Sequence, residues 1–320
     1  MPSFGDRFLS LDIELSLMRT LEEDVLAAVE SAPRVKRRAR RKSIERLVSL
    51  TRRKVKTAIT SQMQGPFFLL EEAFRFLLAF EEYQFSRELT KESSPFALHI
   101  TRLRSDLLAI RELVVLGQES CALALSRVFV EDIEIAMALA IDPEFAVAYF
   151  ESSGKDDFWS SQVGYGKLYP RVRKFLERGD GDGQSAEDYV DHHRRMKTFL
   201  SGHIHPSSSA AFRTAFPPSL EHPGQMARLP LGYVSNNLSP LCLYIAEEVR
   251  IFSACCINMF IKPTAPPAFV GYEPSGKMDD FLSAAHVMQE IGLKYHDELW
   301  NQHKVARQKW DAALGGEDET

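Results

Sequence analysis

Apolar residues recur along this chain at spacings of three and four, not two, and that period predicts an all-α protein. The first periodic segment, about Ser10–Glu30, sets Leu11, Leu15, Met18, Val25 and Val29 on or near one face, and Pro33 ends it. A second helix carries Ile44, Leu47, Val48, Thr51 and Val55 as a narrow apolar stripe between arginines. After the Gly65–Phe68 punctuation an amphipathic helix runs to about Leu89. An apolar helical region, one piece or two, then spans about Ala97–Ile141 and stops at Asp142-Pro143. Ser152–Ala186 mixes Gly, Ser, Asp and aromatics, which predicts irregular structure with a turn at Gly179–Gly183. A helix starting near Ser185 ends before Pro206, and Phe216–Pro240 is a long Pro-, Gly- and Asn-rich connection. Helices over about Pro240–Ile261 and Lys277–Leu314 close the pattern, with no strand alternation and no internal repeat. The expected architecture is a multi-helix bundle core (63–265) with a basic N-terminal helical extension (1–62) and a long C-terminal helix with an acidic tail (266–320).

Composition changes this picture in one respect. With 320 residues, 45% hydrophobic and 26% charged, the chain is long and apolar enough for a sizeable core. The best candidate for a membrane span, Leu241–Ile261, carries Glu247, Glu248 and Arg250 at its centre, so it reads as a buried helix and no membrane partner is expected. No secretory signal pattern opens the chain. All four cysteines, Cys121, Cys242, Cys255 and Cys256, fall in apolar helical patterns without C-x-x-C spacing, the expectation for reduced core thiols in a cytoplasmic protein. The net charge of −5, however, hides an asymmetry: Arg34–Lys56 holds 12 basic residues and one acid, for +11, while the remainder carries −16. Arg37, Arg38, Arg40, Arg41, Arg52 and Arg53 are candidate contacts to RNA or DNA phosphates through residues 34–56. Aromatics are absent there, so base stacking is not expected. The alternative is docking onto the acidic remainder of the same chain, or of a second copy in a homodimer.

Two constellations carry candidate chemistry. On the helix Glu119–Asp142, Ser120, Arg127, Glu131 and Glu134 fall within roughly 60° of one another on an otherwise apolar circumference. That stripe is either a buried ion pair or one wall of a pocket, and its charges need partners in both cases. The second constellation is Asp188–Ser208, where Asp188, His192, Arg195 and Phe199 share a helical face and His203 and His205 lie at or past the helix end. Three readings stay open for its histidines: helix-terminus groups favoured by the dipole, a metal site using H-x-H with His192 and Asp188, and general acid/base or phosphate-contacting work beside Arg195. Neither a metal nor a cofactor is expected. Gly164–Lys167 is not a phosphate-binding P-loop, because Leu168 stands where Ser or Thr is required and no strand precedes it. Asp180–Asp188 lacks the glycine and glutamate of a calcium loop.

Over about Leu107–Ser209, the Arg-x-x-x-Glu helix (Arg127, Glu131) followed by a Ser-x-x-x-His-Pro-Ser element (Ser201, His205, Pro206, Ser207) resembles an uncharacterised bacterial all-helical family. More distantly the chain resembles the HEPN superfamily, helical domains that include metal-independent ribonucleases of toxin and antiviral systems. Those place a histidine four to six residues after an arginine, whereas Arg195 and His203 have seven residues between them. The resemblance implies a nucleic-acid-associated defence or toxin-type protein with ribonuclease-like chemistry. His205 or His203 would be the acid/base, Arg127 or Arg195 the phosphate ligand, and Glu131 the group orienting the arginine. The other expectation is a non-catalytic interaction or scaffold protein whose Arg/Glu/His cluster is structural.

Overall fold

The structure, a computed structural model, describes residues 44–152, 156–179, 181–204, 232–235, 237–260 and 275–315, with 262, 265, 266 and 269 as isolated positions. The chain divides into two compact units, residues 1–47 and 48–320; of the first, only 44–47 are described, and they are helical. The helix expected at Ser10–Glu30 and the arginines Arg37, Arg38, Arg40 and Arg41 lie outside the described residues, as do His205, Pro206 and Ser207.

The helices are α1 (Ile44–Gln62), α2 (Gln64–Phe85), α3 (Ser94–Val115), α4 (Glu119–Ile141), α5 (Pro143–Glu151), α6 (Tyr169–Arg178), α7 (Gly183–Ser201), α8 (Leu238–Phe260) and α9 (Gly276–Gly315). No β-strand occurs among the described residues, so the all-α class holds. The long apolar region is two helices because Gly117 adopts φ +66° between α3 and α4, a conformation that costs a side-chain-bearing residue energy. Its carbonyl accepts the Tyr233 N–H at 3.0 Å, and a Cβ at Gly117 would stand 2.2 Å from that nitrogen. At the other end of α4, Asp142 accepts the Phe145 N–H at 3.0 Å and Pro143 occupies the first turn of α5, a stop followed by a fresh start.

One expectation needs correcting. The stretch read as irregular, Ser152–Ala186, contains α6 and a π-helical turn, Trp159–Val163. Helix α6 buries Val172, Phe175 and Leu176, but five charged residues on its solvent side mask that periodicity in the sequence PRVRKFLER. A second correction concerns the thiols: Cys242, Cys255 and Cys256 are buried, whereas Cys121 is exposed.

Helix α4 is the hub, packed against α3, α5, α6, α7 and α8. From Phe129 to Ile141 every residue of it except Glu131 is buried. Helix α2 packs against α3, α8 and α9, where Phe80 stacks on Phe281 at 4.6 Å and meets the edge of Phe96 at 5.8 Å. The core therefore extends past 63–265 to take in Val55 and Ile59 of α1 and Phe281, Ala285 and Met288 of α9. In the basic segment Val55 is buried while Val48 is exposed, and Arg52 pairs with Glu112 at 2.6 Å. Among the described residues no helix is long and apolar enough to cross a membrane.

Because Phe80 is wholly buried where α2, α3 and α9 meet, Phe80→Ala is expected to lower unfolding free energy by about 3–5 kcal/mol in urea titrations. Half-exposed Phe85→Ala, on the same helix, should stay within about 0.5 kcal/mol of wild type.

Candidate functional site

The polar stripe of α4 meets the polar face of α7. Arg127 Nη1 lies 2.6 Å from Glu131 Oε1 and its Nε donates to Ser201 Oγ at 3.3 Å, so Ser201 meets the Arg127/Glu131 pair. Around them lies a cavity of about 500 Å³. Arg127, Arg194 and Lys197 bring three cations to its wall, against the carboxylates of Glu131 and Glu134, and Thr198 and Ser201 add hydroxyls. Its aromatic wall is Trp159, Tyr165 and the buried Tyr169, whose ring lies 4.8 Å from Arg194 Cζ and 5.0 Å from Lys197 Nζ.

The aromatic wall is built with backbone strain. Tyr165 sits at φ +58°, left-handed territory that non-glycine residues rarely occupy, and Gly166 follows at +80°. A Cβ at Gly164 would press into the Trp159 ring and one at Gly166 into the Tyr169 ring. The Gly-Tyr-Gly sequence, which fails as a P-loop, is thus the turn that presents an exposed Tyr165 ring edge-on to Trp159, 5.8 Å away. The π-helical turn just before it is the kind of irregularity that recurs at functional sites.

Beneath this cavity lies a buried network that sequence reasoning missed. His193 of α7, 1% exposed, places Nδ1 3.1 Å from Glu134 Oε1 of α4 and Nε2 2.5 Å from Glu248 Oε2 of α8. Both ring nitrogens face carboxylate oxygens, so both must donate, and only the imidazolium has two N–H groups. Burial opposes that charge, but the Glu248 charge and the hydrogen bonds to both glutamates outweigh it and hold the His193 pKa at about 9. Lys197 Nζ reaches both oxygens of Glu134, at 2.9 and 2.8 Å, and the Tyr189 hydroxyl donates to Glu248 at 2.6 Å. Burial pushes the Glu134 carboxyl up, yet the His193 and Lys197 contacts bring it below its ordinary value. Two cations and two carboxylates balance inside the protein.

Sequence did contain a signal for this network. Glu134 and Glu248 sit inside largely apolar helices and so demand cations, while Tyr189, His193 and Lys197, four apart, share one face of α7. The face chosen from sequence was the adjacent one. Asp188, His192 and Phe199 of that face line a different cavity, and Arg195 is exposed and lines neither. His203 lies in the turn after α7, its ring 5.6 Å from Phe199, and does not line the cavity around Arg127. Among the described residues no group of histidine, cysteine and carboxylate side chains is arranged to hold a metal ion.

The raised His193 pKa gives a sign-definite prediction. Its stabilising contribution is complete below the unfolded value of 6.5 and is lost as pH rises through about 9. The unfolding free energy of the wild-type protein, read from urea titrations, should therefore fall between pH 7 and pH 9.5, by an amount on the order of 3 kcal/mol at most. His193→Gln should be less stable throughout, with that fall largely gone.

No family model, no curated protein and no solved structure matches the chain.

Proposed function

We propose that this chain is a nucleic-acid-associated helical protein of the defence or toxin type, whose cavity between α4 and α7 holds an RNA nucleotide. The observation that carries the reading is the pairing of chemistries in one space. Arg127, Arg194 and Lys197 converge with two hydroxyls, and the exposed rings of Trp159 and Tyr165 line the same cavity. Cations and hydroxyls suit a phosphate, and exposed rings suit a base, whose stacking contributes about 1–3 kcal/mol. Arg52 and Arg53 of the basic segment 34–56 are exposed, Arg52 being paired with Glu112, and are the described members of the phosphate-contacting set in this reading.

The ribonuclease-like step this site would support needs no metal. The 2′-oxygen bonds to phosphorus and the P–O5′ bond breaks, with one histidine taking the 2′ proton and a proton returned to the 5′ oxygen. Arg127 stabilises the pentavalent phosphorus, and Glu131, 2.6 Å away, orients it. His205, four residues after Ser201 and outside the described residues, is the acid/base candidate that remains, because His203 does not line the cavity. Arg194 replaces Arg195 as the second cation, since Arg194 lines the cavity. A HEPN-like relationship, with homodimerisation, belongs to this proposal.

The second reading, a non-catalytic interaction protein, draws on His193. Its ring is 1% exposed with both nitrogens held by carboxylates, the arrangement of a structural cross-link.

Fluorescence anisotropy with single-stranded RNA separates the two. Affinity should fall steeply with salt, and Arg127→Gln or Arg194→Gln should each reduce the log–log salt slope by about 0.7. RNA incubated with the protein in a chelator should yield 2′,3′-cyclic phosphate ends. His205→Ala should stop that cleavage while leaving the melting temperature within about 2 °C of wild type. Salt-insensitive binding with no cleavage leaves the interaction-protein reading standing.

A further inference from the structure

Helix α7 has a second cavity along its other face, with a volume of about 830 Å³. That size falls in the range of small-molecule sites. Its body is apolar, with Leu123, Met196, Leu241 and Ile251 beside the rings of Phe199 and Trp300. Its charged lining is of one sign. Asp188, Glu247 and Glu248 reach the cavity, and no lysine or arginine does.

The cations that hold these carboxylates stand behind them. Arg250 grips Glu247 through two hydrogen bonds, at 2.7 and 2.6 Å, and His193 holds Glu248 at 2.5 Å, and neither cation lines the cavity. His192, which does line it, has a pKa lowered chiefly by burial, so it is neutral at physiological pH. One polar group remains unused. The Tyr244 hydroxyl is buried at the cavity wall, where it faces Glu248 without a hydrogen bond of ordinary geometry, and burial and that carboxylate both keep the phenol protonated. A buried hydroxyl without a partner is destabilising, and a ligand bearing a donor or acceptor would relieve it.

We propose that this cavity binds a hydrophobic organic cation, an apolar amine whose ammonium group lies among Tyr244, Glu247 and Glu248 and whose hydrocarbon part fills the space beneath α7. The ammonium can donate to the Tyr244 oxygen and to carboxylate, and the Tyr244 and Trp300 rings add cation–π attraction. An amphiphile with an anionic head would meet carboxylates and find no lysine or arginine, only the imidazoles of His192 and His296, the latter 4.0 Å from Glu247. This site is separate from the one proposed for RNA, and neither depends on the other.

Isothermal titration of the full chain at pH 7.5 with octylamine, octanol and octanoate tests the assignment. Octylamine should bind one per chain, at least about tenfold more tightly than octanol or octanoate, as expected when charge complementarity adds to the same burial. Tyr244→Phe keeps the ring and removes only the hydroxyl, and should weaken octylamine about five- to tenfold. Met196→Trp, which fills the cavity, should abolish binding, with circular dichroism confirming a folded chain. Octanol or octanoate binding as tightly as octylamine, no octylamine binding, or an unchanged affinity in Tyr244→Phe would each overturn the proposal.

Discussion

The charge on His193 is the constraint on which the centre of this fold depends. Three helices, α4, α7 and α8, each bring an ionisable group to one buried point, and only a doubly donating imidazolium satisfies Glu134 and Glu248 together. A neutral ring would leave one buried carboxylate facing a lone pair. Removing one partner from such a cluster costs several kcal/mol because the remaining charge stays buried and unpaired. The network therefore specifies the rotation of α7 as much as it stabilises the bundle. Turning α7 by one residue would bring His192 or Arg194 to the glutamates and point the remaining polar face elsewhere.

A comparison within the molecule shows how far the neighbours decide. His99 is as buried as His193, yet its pKa is lowered to about 4, by burial first and by the Arg102 charge second. It donates from Nε2 to the Asp132 backbone carbonyl at 2.9 Å and stays neutral. Asp132 in turn is lifted to about 7 by burial and by Asp106, even with Arg102 at 2.7 Å. Two buried histidines on opposite sides of α4 thus hold opposite charge states. One faces two carboxylates. The other donates to a carbonyl, with the Arg102 guanidinium charge near it and one Asp132 carboxyl oxygen 3.6 Å away.

With α7 held in this orientation, its two remaining faces acquire different chemistries. Arg194, Lys197, Thr198 and Ser201 face the cavity with the aromatic wall, and Tyr189, His192, Met196 and Phe199 face the larger apolar one. Glu134 lines the first cavity and Glu248 the second, so the His193 cross-link separates a cationic compartment from an acidic one. The strained Tyr165 turn adds an exposed ring to the lining of the first cavity.

The sequence by itself determined the helical class, the long helices and the stop at Asp142-Pro143, because period 3.6 apolar spacing and a proline step act locally through backbone geometry, whereas the break at Gly117 is seen only in the structure. It also singled out Arg127 and Glu131, since charges four apart on an apolar helix must pair or face a cavity. Short α6 escaped, because charges crowd its exposed side and ten residues are too few for the period to stand out. Cys121 was misplaced for a related reason: its apolar sequence neighbours lie on other faces of α4. Only the tertiary structure decided that His193, and not His192, is the central imidazole. Adjacent residues on a helix point about 100° apart, and which of them is buried depends on where Glu134 and Glu248 arrive from helices more than 50 residues away in the chain.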